Sequence, residues 1–253
     1  EREIRNFTET PFYRVVGTFH PAGEEECRIT AEWKAIEGSK YFESPLLYKE
    51  NGFKEREKAQ QVIDYLTQEQ PVTGQIASIE KKKEKKNPPL LFNLAELQNE
   101  CSKRFKISPD ETLKIAQELY EKKLTTYPRT DARVLSTAVA KEIHKNLNGL
   151  MKYESAVLFL QEIVGFGSHK GLAKTRYVND KQITDHYAII PTGQGMSALS
   201  GLSWTSRAVY DVIVRRFLSI FYPAAVYQKV AITTKVKEES FFASFKVLAE
   251  PGY

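Results

Sequence analysis

The hydrophobic pattern changes twice along this chain of 253 residues, from strand-like to helical and back to strand-like. Residues 13–20 and 27–35 are rich in Val, Thr and aromatic residues in partial alternation, which is typical of β-strands, and residues 21–26 supply the turn between them. The same character returns in residues 227–236 and 240–248. The sequence therefore predicts an α+β multidomain protein with strand-rich ends and a helical middle.

A charged stretch separates the first strand-rich region from the helical middle. Residues 72–79 predict a strand before it, and residues 54–67 predict a helix with an apolar stripe of Ala59, Val62, Ile63 and Leu66. The stretch itself, residues 80–89 with the sequence EKKKEKKNPP, is typical of a solvated linker. A cationic hinge beside nucleic acid has the same composition. We therefore predict a domain boundary after residue 87.

The helical middle has clear helix start signals. Asn93, Ser108 and Ser136 are each expected to cap a helix, and a Glu follows the first two at the spacing of a capping box. Asn148 and Gly149 are expected to end the third helix. The expected buried stripes are Leu94, Leu97, Cys101 and Phe105, then Leu113, Ala116, Leu119 and Tyr120, and finally Val139, Ile143 and Leu147.

Beyond these helices, the pattern predicts two more helices, a loop and a short strand. The helices are expected at residues 153–164 and 205–221, and the glycine-rich residues 165–171 predict a flexible loop without the spacing of a P-loop. Residues 188–190 form an apolar run that predicts a buried strand, with His186 at its mouth. A lone histidine is most often structural, so this segment alone leaves both a structural and a binding role open.

The composition indicates an intracellular globular protein. The formal net charge is +5, with 37 Lys and Arg against 32 Asp and Glu, which allows a basic face. Cys27 and Cys101 have no partners at metal-binding spacing, so we expect no disulfide framework and no zinc site. There is no secretory signal and no apolar run of membrane-spanning length, and the chain begins at Glu1 rather than Met. We expect an intracellular protein without a membrane partner, of which this chain is a part.

The segment LTTYPRTDAR, residues 124–133, combines a phenol with a guanidinium and a carboxylate. Proline disfavours the α region for the residue before it, so we expect Tyr127 to be extended, with Arg129 and Asp131 on the same face. A guanidinium matches two phosphate oxygens and would stabilise the charge that develops when Tyr127 attacks a phosphodiester. The alternative is a Tyr-Pro turn with solvent-facing charges, and this segment alone does not decide between them.

Several segments together resemble one family. TTYPRTDAR is similar to the active-site signature of type IA DNA topoisomerases, and ITDHYAIIPT resembles the histidine motif of their topoisomerase III branch. PPLLFNLAELQNECSKRF, ETLKIAQELYEKKL and the opening EREIRNFTETPFYRVVGTF are similar to stretches that the family carries at matching places. The resemblance covers essentially the whole chain. Where that branch usually carries a second histidine this chain has Tyr187, so no role is transferred to that position.

The resemblance implies an enzyme that cleaves and rejoins single-stranded DNA without ATP. Tyr127 would attack a phosphate and form a 5′-phosphotyrosyl intermediate, with Arg129 stabilising the developing charge. The DNA-binding residues that it implies are His186, Thr130, Asp131, Arg133 and Asp185. It also implies a discontinuous β-rich arch, or gate, from residues 1–87 and 207–253, and a helical domain from residues 88–206 whose catabolite-activator-like helix-turn-helix carries the tyrosine.

Type IA enzymes also have an N-terminal Toprim domain with a glutamate, a lysine and an Asp-x-Asp-x-Asp cluster for magnesium. This chain contains no Asp-x-Asp. We therefore expect Mg²⁺ to be the cofactor of the full-length enzyme and this chain to contain no metal site. The expected partners are single-stranded DNA and the Toprim and remaining domains of the same polypeptide. Without their acid, base and metal, we expect the chain alone to be inactive in cleavage.

Two other classes stay open at this stage. A tyrosine recombinase would need a His-x-x-Arg motif, but Ile189 follows His186 at that spacing and Leu147 follows His144. A non-catalytic DNA-binding module would use Tyr127 as a core residue. A covalent protein–DNA adduct separates catalysis from binding, and the polarity of the attached DNA end separates the two enzyme classes.

Overall fold

The computed structural model describes residues 9–24 and 26–253. Residues 1–8, which open the chain, and Glu25, in the predicted first turn, lie outside the described residues. Strands and helices are segregated along the chain, as the change in hydrophobic pattern predicts. The predicted α+β class is therefore confirmed.

The chain divides into two compact units. The first contains the chain up to Glu84 together with Val226–Ala249. The second contains Lys85–Ala225 and Glu250–Tyr253. Most strands belong to the first unit, and all but one of the described α-helices belong to the second.

The strands of the described chain are β1 Val16–Phe19, β2 Ile29–Lys34, β3 Leu47–Lys49, β4 Gly52–Phe53, β5 Gln75–Lys86, β6 Ala225–Val236 and β7 Glu239–Glu250. Five of them form one sheet in the order β1-β2-β7-β6-β5, and β3 pairs with β4. β1 and β2 are antiparallel, with Val16 opposite Glu32, and β2 and β7 are antiparallel, with Trp33 opposite Phe241. β1 and β2, from the start of the chain, are therefore joined to the sheet by pairing with β7, the last strand. This pairing explains why the first unit combines an early and a late segment of the chain.

Aromatic packing and one buried carboxylate stabilise the first unit. Trp33 is fully buried and stacks on Phe53 with ring centroids 5.0 Å apart. The Glu239 carboxylate, also buried, accepts hydrogen bonds from Trp33 Nε1 at 2.6 Å, Ser39 Oγ at 2.7 Å and Lys40 N at 3.2 Å. A carboxylate is tolerated inside a protein when its oxygens are satisfied in this way. Glu239 therefore ties the start of β7 to the segment after β2.

Two predictions for the first unit need correction. The predicted helix is α1, Arg56–Leu66, but Ile63 of its expected apolar stripe is exposed. The stretch predicted as a linker, residues 80–89, mostly continues β5, whose bounds are Gln75–Lys86. This strand lies at the edge of the sheet and all its residues are exposed, so the lysines stay solvated while the backbone pairs with β6. Composition indicated solvation, but an edge strand can be solvated too.

The remaining helices form the second unit. They are α2 Leu94–Phe105, α3 Pro109–Glu121, α4 Thr137–Leu150, α5 Val157–Phe166 and α6 Trp204–Ser219. Short 3₁₀ helices lie between them at Glu154–Ala156, Ser168–Lys174, Asp180–Gln182 and Met196–Gly201. Asn93, Ser108 and Ser136 cap α2, α3 and α4, each accepting a hydrogen bond from the amide three residues later, at 2.9, 3.1 and 3.2 Å. These three predictions are confirmed.

Three details of the second unit differ from the predictions. Asn148 and Gly149 do not end α4, which continues to Leu150. Tyr120 is exposed rather than buried, because the buried face of α3 is rotated toward Thr112, Ile115, Ala116 and Leu119. The predicted loop at 165–171 lies largely within the 3₁₀ helix Ser168–Lys174. The 3.6-residue period therefore located these helices but did not fix their ends or their rotation.

Helix α6 belongs to the second unit. Val209, Tyr210, Ile213 and Phe217 are fully buried in the core of the helices. The predicted domains, 1–87 with 207–253 and 88–206, would divide this helix near its start. Because its long buried face packs in the core of the second unit, the whole helix belongs to that unit. The boundary between the units lies after Ala225. No helix in the described parts of the chain is long and apolar enough to cross a membrane.

Candidate active site

The two motifs singled out in the sequence lie side by side. Thr126 donates its amide to the carbonyl of Ile190 at 3.0 Å. Its hydroxyl donates to the carbonyl of Ala188 and accepts from the amide of Ile190, both at 3.0 Å. Further along, the amide of Thr192 donates to the carbonyl of Leu124 at 3.0 Å. Two segments that are more than 60 residues apart in sequence thus form one wall beside Tyr127.

Buried backbone hydrogen bonds hold the second motif in place. Ala188, Ile189 and Ile190 are at most 1% exposed. The amide of Ala188 donates to Val134 O at 3.0 Å, and that of Ile189 donates to Phe92 O at 2.8 Å. The predicted burial is therefore confirmed, but the predicted strand is not. Only isolated bridges form here, because the neighbouring segments contribute single extended residues.

Arg216 fixes the segment that supports Ile189. Its guanidinium lies 4.0 Å from the centre of the Phe92 ring and donates to Leu90 O at 3.0 Å. Burial lowers the pKa of Arg216, since the charged form loses hydration there. The contact between a cation and an aromatic ring offsets part of this cost. Helix α6 thus supports the Phe92 segment and, through it, Ile189. No residue of α6 lines the cavity of Tyr127.

Two glycines allow the second motif to approach the helices closely. A Cβ on Gly149 of α4 would lie 2.2 Å from the carbonyl oxygen of Gly193. Gly195 has a φ of +68°, and a Cβ there would lie 2.2 Å from the carbonyl oxygen of Lys122. Any side chain at either position would force the backbones apart. Gly149, predicted to stop a helix, is therefore a packing residue.

Tyr127 lies half-buried in a cavity of about 350 Å³. Its ring centre is 4.4 Å from that of His186, with the planes tilted by 40°. The ring of Tyr120 meets it edge-on with centroids 5.4 Å apart. The phenol therefore projects into an open cavity between two aromatic rings. It is not a core residue.

Every residue that lines this cavity carries a polar group on its side chain. These residues are Tyr120, Lys123, Thr125, Thr126, Tyr127, His186, Tyr187, Thr192 and Gln194. The hydroxyl of Thr125 is buried and has no hydrogen-bond partner among the described residues. Burial raises the pKa of the Tyr187 phenol, so this side chain stays protonated near neutral pH. A cavity of this kind suits a polar ligand better than an apolar one.

Thr130 connects the first motif to His186. It is 6% exposed, and its hydroxyl donates to the carbonyl of His186 at 3.0 Å while accepting from the amide of Ala132 at 3.1 Å. The Thr130 carbonyl accepts from the amide of Leu94 at 3.1 Å. Thr130 therefore orients the backbone of His186, while the His186 imidazole itself is exposed to the cavity.

Arg129 lies away from the cavity of Tyr127. The chain bends at residues 128–129, and the Thr130 amide donates to Pro128 O at 3.0 Å, so the segment does not follow the regular alternation predicted for it. Arg129 is exposed and lines a hollow of about 450 Å³ with residues of α3, which are Asp110, Leu113, Lys114, Gln117, Glu118 and Glu121. Arg129 thus lies among residues of α3, three of them acidic, and not among the residues around Tyr127.

The other predicted DNA-binding residues, Asp131, Arg133 and Asp185, are not among the residues that line the cavity. Asp131 and Asp185 are exposed. Arg133 lies 3.4 Å from a Glu96 carboxylate oxygen and donates through Nε to Leu91 O at 3.3 Å. The Arg133 side chain is thus bound to protein groups on two sides, unlike that of Arg129.

Sequence reasoning missed Tyr120 and Lys123, which belong to the cavity. Tyr120 was taken for a core residue because it continues an apolar stripe. Their closeness to Tyr127 in sequence was the available signal. In the described parts of the chain, no three His, Cys, Asp or Glu side chains converge to hold a metal ion. The described residues therefore do not fit a magnesium site.

Comparisons with known proteins agree with the family resemblance that the two motifs carry. A family model described as DNA topoisomerase matches residues 1–253. DNA topoisomerase 3 of Bacillus subtilis (strain 168) is 39% identical over 181 residues, which are 70% of this chain and 24% of that protein. DNA topoisomerase 3 of Bacillus cereus (strain ATCC 14579) is 31% identical over 262 residues, covering 100% of this chain and 31% of that protein. Full-length topoisomerase I from Thermotoga maritima superposes with a TM-score of 0.61 at 19% identity, over 98% of this chain and 36% of that one.

These matches define the class of protein: the chain belongs to the DNA topoisomerase family. Within that family it is part of a type IA enzyme, and the two curated relatives named above are topoisomerase 3 proteins. The chain spans about a quarter to a third of the length of those relatives. The structure from Thermotoga maritima supports the fold alone, since its sequence identity is low.

Proposed function

We propose that the chain is the tyrosine-bearing part of a topoisomerase III-like enzyme that cleaves and rejoins single-stranded DNA. The observation that carries the proposal is the position of Tyr127, whose phenol projects into a polar cavity beside the exposed imidazole of His186. A structural tyrosine would be packed in the core, as Tyr210 is. Tyr127 instead combines a fixed backbone with an accessible oxygen, which is what a nucleophile requires.

The proposed reaction exchanges one phosphodiester for another. The Oη of Tyr127 attacks a backbone phosphorus, and its proton passes to a base. The bond between phosphorus and the 3′ oxygen breaks, and that oxygen takes a proton and leaves as a hydroxyl. The 5′ phosphate stays bonded to Tyr127 until the same hydroxyl attacks it in the reverse direction. Because the ester conserves the energy of the broken bond, rejoining needs no ATP.

Each nearby group has a proposed role in this reaction. Arg129 takes part in no ion pair among the described residues, and its exposed guanidinium is free to move from α3 onto the attacked phosphate. His186 would contact a phosphate through its imidazole. Thr130 and Asp131 would position the segment, and Arg133 and Asp185 would contact the DNA strand at the rim. The hydrogen bond from Thr130 to the His186 backbone supports the positioning role.

The remaining functions would come from the rest of the polypeptide. A Toprim domain would supply the acid, the base and the Mg²⁺ site, and the described residues contain no cluster of metal ligands. The strand-rich unit would belong to an arch, or gate, through which a second strand passes. Helices α3 and α4, which flank the Tyr127 segment, would form the catabolite-activator-like unit that carries it. Such an enzyme would work in the bacterial cytoplasm, at the nucleoid.

The experiment that tests this proposal is adduct trapping with the full-length protein. End-labelled single-stranded oligonucleotide is incubated with the protein and magnesium and then separated on a denaturing gel. We expect a covalent band from the wild type and none from Tyr127→Phe, which loses only the attacking oxygen. Tyr120→Phe is the matched control, because it removes a neighbouring phenol of the same cavity and should still form the band. An adduct that survives Tyr127→Phe would refute the assignment.

A further inference from the structure

Lys123 occupies a backbone position that favours glycine. It follows α3 with a φ of +61°. Its amide donates to Tyr120 O at 2.8 Å, and the next amide, of Leu124, donates to Leu119 O at 2.9 Å. This pair of bonds is the Schellman motif that ends many helices, and the residue in the left-handed position is usually glycine. A lysine costs more conformational energy than a glycine in this position, which indicates that the lysine side chain has a function.

The side chain of Lys123 lines the cavity of Tyr127. Among the nine residues that form this cavity, Lys123 is the one with a permanent positive charge, since Arg129 lies in the hollow along α3. The buried hydroxyl of Thr125, which has no partner among the described residues, lies in the same wall. The cavity thus contains one lysine among its lining residues, with a buried, unpaired hydroxyl in the wall beside it.

The backbone of Lys123 is held rigidly in place. Its carbonyl accepts a hydrogen bond from the hydroxyl of Thr192 at 2.5 Å, and Gly195 packs against the neighbouring carbonyl of Lys122. Thr192 is the last residue of the second motif, which also carries His186, and Gly195 follows three residues later. The first and second motifs therefore fix the position from which the Lys123 side chain enters the cavity.

We propose that Lys123 binds a phosphate of the single-stranded DNA in the cavity of Tyr127. This inference rests on the function proposed above. It assigns the cavity a phosphate-binding cation on the α3 side of the tyrosine, with Arg129 approaching from outside the cavity. The strained position is retained because glycine, which fits the backbone better, would remove the charge.

The alternative is that Lys123 only complements the negative end of the α3 dipole. The two roles differ in their dependence on DNA. A cation that serves the helix affects folding stability and leaves DNA binding unchanged. A cation that binds a phosphate releases one counterion when DNA binds, which appears in the salt dependence of affinity.

The chain offers a matched control in Lys106. This lysine also lies in the left-handed region at a helix end, with a φ of +59° after α2, and it is exposed outside the cavity. Substitution by glycine relieves the same backbone strain in both places. Lys123→Gly and Lys106→Gly should therefore raise the melting temperature, or leave it unchanged, to a similar extent. Any difference between them in DNA binding comes from the side chain of Lys123.

The experiment uses the full-length protein with a single-stranded oligonucleotide at several salt concentrations. We expect Lys123→Gly to weaken binding by roughly tenfold at low salt and to make the slope of log affinity against log salt shallower by about 0.7. The yield of covalent adduct at limiting DNA should fall in parallel. Lys123→Arg, which keeps the charge and the strain, should retain both properties, and Lys106→Gly should match the wild type.

The outcomes separate the two proposals. If the wild type forms the adduct while Lys123→Gly keeps the wild-type slope and affinity, the phosphate contact is refuted and the proposed function stands. Equal losses of DNA affinity in Lys123→Gly and Lys106→Gly would also refute the contact, since they would trace to the backbone. If the wild type forms no tyrosyl adduct at all, the proposed function fails and this inference fails with it.

Discussion

At the scale of single residues, the site combines an accessible phenol with cations held at different distances. Tyr127 and His186 are in ring contact, whereas Arg129 lies along α3. Arg129 is therefore not part of the cavity of Tyr127, although it lies only two residues away in sequence.

The first prediction separates charge from geometry at Arg129. Arg129→Lys keeps the charge but loses the planar fork that contacts two phosphate oxygens. In the full-length protein we expect the cleavage and rejoining rates to fall by an amount equivalent to roughly 2–4 kcal/mol, as when an oxyanion donor is lost. Single-turnover kinetics measure this directly. Wild-type rates in the lysine variant would leave Arg129 as a solvated surface charge.

The second prediction concerns the protonation of His186. An imidazolium binds phosphate and a neutral imidazole does not attract it, so single-strand affinity should decrease as the pH rises through the range where histidine titrates. His186→Ala should flatten the pH profile of binding. An unchanged profile in the alanine variant would contradict a phosphate contact and leave His186 with a structural role.

At the scale of elements, the site depends on the pairing of two short segments. Neither segment is a regular strand, and the hydroxyl of Thr126 makes two of the hydrogen bonds between them. The side chain of Thr126 thus does what a strand ladder would otherwise do. This arrangement explains how a tyrosine outside any helix or strand has a defined position.

The third prediction tests this bridge. Thr126→Val has a similar shape but leaves the Ala188 carbonyl and the Ile190 amide without the hydroxyl, so the free energy of unfolding should fall by about 2 kcal/mol. Adduct formation in the full-length protein should fall as well, because Tyr127 is the next residue. Thr126→Ser keeps the hydroxyl and should retain most of both properties. Chemical denaturation gives the stability, and a stable valine variant would argue against the bridge.

The fourth prediction belongs to the sheet of the first unit. Glu239→Gln replaces one acceptor oxygen of a buried carboxylate by an NH₂ group that faces donors of Trp33, Ser39 or Lys40. We expect the free energy of unfolding to fall by about 1–3 kcal/mol. The neighbouring exposed Glu238→Gln should change it by less than about 0.5 kcal/mol. Equal effects of the two substitutions would show that the Glu239 network does not stabilise the sheet.

At the scale of the whole molecule, the described residues include a tyrosine that lines a cavity and many basic side chains, but no cluster of metal ligands. The edge strand β5 adds five exposed lysines, and the formal net charge is +5. We therefore expect this chain to bind single-stranded DNA without cleaving it. Binding needs only basic groups, whereas cleavage also needs groups from the rest of the polypeptide.

The fifth prediction tests this expectation on the 253-residue chain itself. We expect weak, sequence-tolerant binding to single-stranded DNA, with log affinity falling against log salt by about 0.7 per phosphate neutralised. Cleavage should be undetectable with or without magnesium, and the separately expressed Toprim-containing part should restore some of it if the halves reassemble. A strong tyrosyl-DNA band from this chain alone would show that the chemistry is complete within these residues.

The sequence by itself determined the class of fold, the helix caps at Asn93, Ser108 and Ser136, and the two motifs. These features are local, because a cap needs only the next few residues and a hydrophobic stripe needs only the period of its own helix. The family resemblance could also be seen in the sequence, since TTYPRTDAR and ITDHYAIIPT are continuous segments.

Tertiary structure alone decided which residues surround Tyr127. Tyr120 is directed into the cavity by a rotation of α3 that the hydrophobic pattern did not specify, and Arg129 is turned away by a bend after Pro128. The pairing of Thr126 with Ile190 joins segments that share no local signal. The edge position of β5 likewise depends on a partner strand more than 130 residues away. Such contacts are set by packing between distant segments, which no local period or composition encodes.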